Sequence, residues 1–202
     1  MLFRSQWAHV EGEVGPGKTI VIQGPGAKGM GCVLASRIFG ADCIIVTGLS
    51  KDARRFEACQ RLGADYCVDV EKEDFKGRIM EITGGRGVDA VVDCTSSHNE
   101  IVVLQTFDVL KRKGGVVVTQ GYDMTKFPLQ TLSAKYVTLK MCRGHSYSSV
   151  HQAVEWITSG KYPLQELITH PFSLDKTADA CLASGGEGPT RDVVTVLVNP
   201  WR

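Results

Sequence analysis

The sequence predicts an α/β fold, a doubly wound parallel sheet with helices on both faces. Three observations predict it. Short runs rich in β-branched residues recur along the chain, amphipathic runs of helical length separate them, and glycines follow several of the helical runs. Strands and helices that alternate at this interval form right-handed βαβ units, in which the strands are parallel. Such a sheet is covered on both faces, because each crossover helix packs against it.

The first elements illustrate the pattern. The run KTIVIQ at residues 18–23 is rich in β-branched residues and predicts a strand, and residues 28–41 predict an amphipathic helix that stops at Gly40. A second helix begins at the candidate N-cap Ser50 and stops at Gly63. The same criteria predict further strands at 42–48, 66–70, 87–95, 116–122 and 136–142, and helices at 50–65, 73–85, 99–115 and 149–160.

The two ends of the chain are less regular. Residues 167–174 are predicted as extended, residues 175–185 as helical, and residues 191–200 as an unusually apolar final strand. Residues 1–14 show no clear period, and we expect them to be a helix remnant or a segment foreign to the natural protein. The chain therefore divides into three predicted segments, at residues 1–14, 15–163 and 164–202.

Composition and charge exclude two classes of partner. The 202 residues include 23 basic and 22 acidic side chains, so nothing favours nucleic acid or another polyanion. No apolar run reaches the roughly 18 residues that a membrane span needs, and no signal peptide opens the chain. The seven cysteines are odd in number and lack the spacing of zinc ligands, which indicates structural thiols in a reducing compartment. We therefore expect a cytoplasmic location, with no membrane and no nucleic-acid partner.

The segment GPGAKG, between the first predicted strand and helix, carries the clearest motif. Gly24, Gly26 and Gly29 match G-x-G-x-x-G in the strand–turn–helix context that the motif needs. The first glycine permits a tight turn, the second lets the backbone approach a pyrophosphate, and the third lets the helix pack closely. The free N–H groups and the positive end of the helix then face the phosphates. The motif predicts the dinucleotide site of a Rossmann fold; the alternative is a merely structural turn.

Two positions near the motif bear on the ligand. Lys28 stands where an aliphatic residue is usual, and it either donates to the pyrophosphate or points to solvent. Gly48 ends the second predicted strand, where an acidic residue would hold the adenosine ribose hydroxyls. The missing carboxylate favours NADP over NAD, because Ser50, Lys51 and two arginines just downstream suit a 2′-phosphate. The alternative for these cations is an ordinary solvated helix face.

Four stretches of the chain together resemble one family. They are GEVGPGKTIVIQGPGAKGMG, GVDAVVDCT, LKRKGGVVVTQGY and LITHPFSLDKTADA. The combination resembles the medium-chain dehydrogenase/reductase superfamily, in its zinc-type alcohol, polyol and threonine dehydrogenase branch, from about Gly12 to Pro200. The resemblance implies that residues 15–163 are a dinucleotide-binding Rossmann domain. It also implies hydride transfer between a nicotinamide cofactor and a small alcohol, polyol, ketone or aldehyde.

The resemblance further implies contacts with the cofactor. The motif glycines and the backbone of Lys28 would hold the pyrophosphate. The residues implied on the adenosine side are Gly48, Ser50, Lys51, Cys94 and Thr95. The residues implied at the nicotinamide end are Gln120, Gly121, Tyr122 and Arg143.

The same resemblance implies that the catalytic machinery lies outside this chain. In the family a GroES-like N-terminal domain holds the catalytic zinc, and almost nothing precedes the first predicted strand here. We therefore expect no catalytic residue and no metal ligand in the chain, with zinc only in the missing domain. The five histidines lie in unrelated contexts, and none is predicted to bind a metal. Such a chain would bind NADP or NAD, would be inactive alone, and would meet a small-molecule substrate only with the missing domain.

Two expectations concern strand edges. In the family the terminal strand joins the sheet of the catalytic domain, so residues 193–198 are expected to lack a partner in this chain, and the tail 164–202 would belong to that domain. Family members dimerise through their sixth strands, so residues 136–142 are the expected edge of a homodimer.

Two alternatives to this oxidoreductase stay open. One is a non-catalytic NAD(P)-binding module, and the other is a zinc-free quinone or enoyl reductase of the same superfamily.

Overall fold

The main feature of the computed structural model is a six-stranded sheet. The structure describes residues 2–97, 99–120, 127–190 and 193–201. The strand order is β3-β2-β1-β4-β5-β6, and every pair of neighbours is parallel. The strands are β1 (Thr19–Gln23), β2 (Cys43–Gly48), β3 (Tyr66–Asp69), β4 (Ala90–Asp93), β5 (Val116–Thr119) and β6 (Thr138–Met141). The predicted doubly wound Rossmann arrangement is confirmed, with each of its six strands.

The central strands are apolar because both faces of the sheet are covered. Every residue of β4 and β5 is buried. The register places Ile22 of β1 beside Val46 of β2 and Val92 of β4. Ile20 and Ile22 belong to one core cluster, and Val21 between them belongs to the other. Successive side chains of a strand point to opposite faces, so the two clusters lie on opposite sides of the sheet.

Helices cover the sheet and part of the tail. Those in the described residues are α1 (Ala27–Ile38), α2 (Ala53–Arg61), α3 (Phe75–Ile82), α4 (Glu100–Leu104), α5 (Thr106–Val109), α6 (Leu129–Lys135), α7 (Tyr147–Thr158) and α8 (Thr177–Gly185). The predicted stops of α1 and α2 are confirmed, since Gly40 and Gly63 follow them with φ of +79° and +110°. Helix α6 has no counterpart among the predicted helices.

The prediction of one helix over residues 99–115 was wrong. The chain forms α4 and α5 instead, and Leu110 is already extended and pairs with Val88. Thr106 is the first residue of α5, and its hydroxyl donates to the Val103 carbonyl at 2.6 Å. A side-chain donor of this kind competes with the helical ladder, and β-branched residues at 101–103 weaken the helix further. The helix therefore ends well before the glycines at 114 and 115.

The N-terminal segment packs against α1 although its sequence shows no clear period. It forms a 3₁₀ turn (Leu2–Ser5) and a short π-helix (Trp7–Glu11). Trp7 is only 1% exposed and belongs to the same core cluster as Met30 of α1. Truncating a tryptophan buried in this way costs about 3–5 kcal/mol. The segment is therefore part of the folded core.

The tail forms a small second sheet. Strands β7 (Ile168–Ser173) and β8 (Thr195–Asn199) pair in parallel, and α8 lies between them in the chain. The expectation that the last strand lacks a partner in this chain was therefore wrong. β7 supplies that partner because α8 returns the chain in the same direction, as in the βαβ units of the main sheet. In the described part of the chain, no helix has the length and apolar character that crossing a membrane requires.

Candidate functional site

The loop between β1 and α1 depends on two glycines for its shape. Gly24 has φ of +90°, and a Cβ on it would lie 3.2 Å from the backbone of Thr95. A Cβ on Gly29 would lie only 2.0 Å from the carbonyl oxygen of Gly24. The first turn of α1 therefore presses directly on the loop. Both assignments from the sequence, a tight turn and close helix packing, agree with this geometry.

Gly26 faces open space at the tip of α1. A Cβ on this residue would meet no atom within 4 Å. The first hydrogen bond of this turn runs from Met30 N to Gly26 O, at 2.9 Å. The amides of residues 27–29 precede it, and the N–H groups of a first turn have no partner within the helix. These amides and the positive end of the helix dipole suit an anion.

A cleft of about 440 Å³ lies at the carboxyl ends of β1, β2 and β4. Its lining includes Gly24 and Gly26 at the tip of α1, Gly48 and Lys51 on one side, and Thr95 on the other. The strand order reverses between β1 and β4, which makes this the topological switch point of the sheet. In open α/β sheets ligands bind in the crevice at that point.

Gly48 has a packing reason to lack a side chain. A Cβ there would lie 2.8 Å from Pro25 Cδ and 3.0 Å from Phe56 Cε1. Pro25 belongs to the glycine loop, so the loop itself occupies the space that a side chain at position 48 would need. Sequence reasoning considered only the missing carboxylate and did not detect this contact.

Charged groups near Gly48 are mostly paired. The buried Asp52 carboxylate accepts from Leu49 N at 3.0 Å and contacts Arg55 at 3.1 Å. The Arg55 guanidinium also donates to Val193 O at 3.1 Å. Lys51, in contrast, is exposed, lines the cleft and has no hydrogen-bond or ion-pair partner among the described residues. Lys51 is therefore a cation of the cleft that is available to a ligand.

Ser50 is turned toward the end of β3. Its hydroxyl donates to Asp69 at 2.7 Å, and its amide donates to Glu71 at 2.8 Å. The hydrogen bond from Ser50 and contacts with Lys72 hold the pKa of the Asp69 carboxyl below its usual value. Ser50 does not cap a helix with its side chain, so that prediction was wrong. The Asp69 carboxylate at the end of β3 takes its hydroxyl and the Glu71 carboxylate takes its amide.

Lys28 reaches the ends of β4 and β5. Its Nζ lies 3.2 Å from Gln120 Oε1 and 3.4 Å from Thr95 O. Gln120 Nε2 donates to the same Thr95 carbonyl at 2.9 Å, and Arg143 Nε lies 3.5 Å from Gln120 O. Lys28 therefore does not simply point to solvent, and that alternative was wrong.

A buried carboxylate fixes the cleft wall at Thr95. Asp93, at 0% exposure, accepts from both the amide and the hydroxyl of Thr95, at 2.9 and 2.7 Å. Gln23 lies on the neighbouring strand, and its Nε2 donates to Val102 O at 3.0 Å. Its Oε1 is buried and has no partner among the described residues.

The open space at Gly26, the amides of residues 27–29 and the available Lys51 together fit a phosphate-bearing ligand.

The predicted site residues divide into two groups in the structure. Those that line the cleft are Gly24, Gly26, Gly48, Lys51, Cys94 and Thr95. Those that lie outside its lining are Lys28, Gly29, Ser50, Gln120 and Arg143. Gly121 and Tyr122 lie outside the described residues. The lining also includes residues that were not predicted to bind a ligand, among them Asp52 and Val102. Arg55, one of the two arginines that the sequence analysis set beside a 2′-phosphate, lines the cleft as well.

The seven cysteines are free thiols, and three of them are buried. Cys32 and Cys94 are buried with their Sγ atoms 3.7 Å apart, and this contact together with burial raises the pKa of Cys94. Burial likewise raises the pKa of Cys67, to about 11. Among the described residues no three His, Cys, Asp or Glu side chains come together as a metal site.

A family model described as zinc-binding dehydrogenase matches residues 28–159. The chain belongs to this family. The match begins in the first turn of α1, just after the glycine loop, and continues past β6 to the end of α7. The resemblance to zinc-type medium-chain dehydrogenases is therefore confirmed for the Rossmann part.

Curated relatives in the zinc-binding dehydrogenase family are longer than this chain. A sorbitol dehydrogenase of Bacillus subtilis (strain 168) is 30% identical over 167 residues, which are 82% of this chain and 46% of the relative. A D-arabitol-phosphate dehydrogenase of Enterococcus avium is 29% identical over 165 residues, 80% of this chain and 46% of the relative. The chain thus spans about half the length of the curated relatives it matches.

Solved structures agree with the fold. An alcohol dehydrogenase of Thermotoga maritima aligns with a TM-score of 0.81 at 25% identity, over 98% of this chain and 53% of the other. A zinc-binding-dehydrogenase structure from Sinorhizobium meliloti 1021, bound to NADP, aligns with a TM-score of 0.83 at 21% identity, over 98% and 57%. At 21% identity, the likeness to the Sinorhizobium meliloti structure shows the fold alone.

Proposed function

We propose that the cleft at the tip of α1 binds a nicotinamide dinucleotide, as the cofactor site of a zinc-type alcohol dehydrogenase-like oxidoreductase. The observation that carries this proposal is Gly26, which leaves an open seat beside unpaired helix amides at the switch point of the sheet. Residues 15–163 are the proposed dinucleotide-binding domain, and residues 164–202 are the proposed tail toward a catalytic domain. The location proposed for the protein is the cytoplasm.

The proposed cofactor is NADP rather than NAD. No acidic side chain can stand at Gly48 while Pro25 occupies the adjacent space, so the end of β2 offers no carboxylate to ribose hydroxyls. Asp52 is neutralised by Arg55, which leaves Lys51 as an available cation in the cleft. A 2′-phosphate at this end would meet Lys51, whereas the bare hydroxyl of NAD would gain little from it.

Titration of the chain with NADPH and NADH, followed by reduced-nicotinamide fluorescence, tests both parts of this proposal. Lys51→Ala is expected to weaken NADPH binding about tenfold, as for one lost charge-assisted contact, and NADH binding less than about twofold. Lys161→Ala is the control, because Lys161 is an exposed lysine outside the cleft lining. Equal affinities that Lys51→Ala leaves unchanged would contradict the phosphate contact, and no binding of either dinucleotide would contradict the cofactor site.

The proposed reaction is hydride transfer between the nicotinamide and a small alcohol, polyol, ketone or aldehyde. It rests on membership of the zinc-binding dehydrogenase family, whose curated relatives include sorbitol and D-arabitol-phosphate dehydrogenases. In such chemistry the zinc acts as a Lewis acid on the substrate oxygen, and the cofactor exchanges the hydride. We expect the 202-residue chain alone to bind dinucleotide without measurable oxidation of sorbitol.

A second candidate is a non-catalytic NAD(P)-binding module. The observation that favours it is the lack of a grouped metal-ligand set among the described residues. Turnover of sorbitol by the dinucleotide-loaded chain after zinc addition would exclude the module, whereas both candidates are consistent with no turnover by the chain alone.

The proposed assembly is a homodimer through β6. This strand is the edge of the main sheet, and Met141 on it is 59% exposed. Edge strands offer unpaired backbone groups to a second copy. Sedimentation equilibrium is expected to give a dimer mass, and a monomer at high concentration would contradict the assignment.

A further inference from the structure

Lys28 is a cation fixed at the ends of two strands. Its Nζ contacts Gln120 Oε1 on the residue after β5 and the carbonyl of Thr95 after β4. Nζ also lies 5.9 Å from the ring centroid of Trp7, within the range of a cation–π contact. Three groups from separate parts of the chain therefore hold the ammonium in one place.

This place belongs to one half of the bound dinucleotide, if the proposed function holds. A dinucleotide in a doubly wound fold lies across the helix tip, with one half on each side of the switch point. Gly48 and Lys51 line the β2 side of the cleft, which the proposed function assigns to the adenosine half, and neither Lys28 nor Gln120 lies in the cleft lining. The fixed ammonium therefore lies on the β4–β5 side, where the nicotinamide half would bind.

The charge of Lys28 is not neutralised by an ion pair in the described structure. Both of its hydrogen-bond partners are uncharged oxygens. The buried carboxylate of Asp93 ends β4, two residues before the Thr95 carbonyl that Lys28 contacts, and its oxygens accept from Thr95 and from the Thr119 hydroxyl. The nicotinamide ring carries one positive charge when oxidised and none when reduced. A fixed cation on this side therefore repels the oxidised ring and leaves the reduced ring unaffected.

We propose that Lys28 biases the cofactor site toward the reduced dinucleotide. Two unit charges about 10 Å apart at an effective dielectric constant of about 20 change a relative affinity by about tenfold. An uncharged side chain at position 28 has no such effect. Lys28 thus shifts the ratio of oxidised to reduced cofactor bound to the protein through the charge of its side chain. This role rests on the proposed function of the cleft.

Calorimetric titration of the full chain with NADP, NADPH and 2′-phospho-ADP-ribose tests this inference. Lys28→Met keeps the length of the side chain and removes its charge, and Lys28→Arg keeps the charge. The Met variant is expected to raise the affinity for NADP relative to NADPH by about tenfold. Any loss that comes from the phosphates is common to NADP, NADPH and 2′-phospho-ADP-ribose, which lacks nicotinamide, and therefore cancels from the ratio. The Arg variant should keep the wild-type ratio.

The outcomes distinguish a failure of this inference from a failure of the proposed dinucleotide-binding function. A ratio of NADP to NADPH affinity that Lys28→Met leaves unchanged overturns the inference alone. An equal loss for all three ligands also overturns it, because it assigns the ammonium to the pyrophosphate. A wild-type chain that binds none of the three contradicts the proposed function instead. Thermal unfolding of each variant checks its fold, and Lys28→Gln provides the same comparison if the Met variant is unfolded.

Discussion

Replacing Gly29 by alanine tests whether α1 packs on the glycine loop as described. The added methyl group would lie 2.0 Å from Gly24 O, against an ordinary carbon–oxygen distance of about 3.4 Å. The helix and the loop must then separate by roughly 1.4 Å, and neither is a flexible side chain that can turn aside. Overpacking of this kind costs about 1–3 kcal/mol, while the better helix propensity of alanine returns up to about 1 kcal/mol.

We therefore expect Gly29→Ala to lose about 2 kcal/mol, near the upper end because the added methyl group meets backbone atoms. For a chain of this size that corresponds to a fall in Tm of about 4–8 °C, measured by circular dichroism. Gly26→Ala is the matched control, since its methyl group meets nothing within 4 Å and its φ is −72°. Its expected cost is only about 0.5 kcal/mol, for the poorer N-cap. Equal melting temperatures for the two variants would refute the reasoning.

Two further predictions concern Gly48 and a buried thiol. Gly48→Asp is expected to weaken NADH binding by at least about fivefold, because the new side chain displaces Pro25, whose Cδ lies 2.8 Å from the place that a Cβ on residue 48 would take. NADPH binding should weaken further, because the new carboxylate repels the 2′-phosphate. Tighter NADH binding in a fluorescence titration would contradict this prediction. The pKa of Cys67 is raised by burial to about 11, so the folded chain keeps a proton that the unfolded chain loses above about pH 9. The free energy of unfolding should therefore fall by up to about 1.4 kcal/mol per pH unit between about pH 9 and 11, and denaturant titrations should show a shallower fall for Cys67→Ala; identical slopes would count against this assignment.

Local sequence signals predicted the sheet and the glycine loop. The six strands were predictable because each is a compact apolar run between turn residues, and the loop because its glycines lie in one short segment. The helix over residues 99–115 was mispredicted because Thr106 Oγ bonds the backbone three residues earlier, which periodicity does not reveal. The pairing of β8 with β7 was missed because the expectation came from the resemblance and not from this chain's own residues.

The parts of the site that depend on distant contacts were not predictable. Lys28 meets Thr95 and Gln120, which are 67 and 92 residues away in the chain, so their contact depends on the strand order β1-β4-β5. Gly48 appeared as a missing carboxylate, but its packing against Pro25 exists only once β2 lies beside β1. Residue type therefore indicated which positions carry the chemistry, and the topology decides what each of them touches.

The binding of a dinucleotide at the tip of α1 is most directly tested by amide NMR of the chain during addition of NADPH. We predict that the backbone amides of residues 26–29 shift saturably, because their N–H groups would receive the pyrophosphate. Gly84 and Gly85, which follow α3 and are absent from the cleft lining, serve as reference amides and should not shift. No change at residues 26–29 at saturating NADPH, or larger changes at the reference amides, would contradict a dinucleotide site at this helix tip.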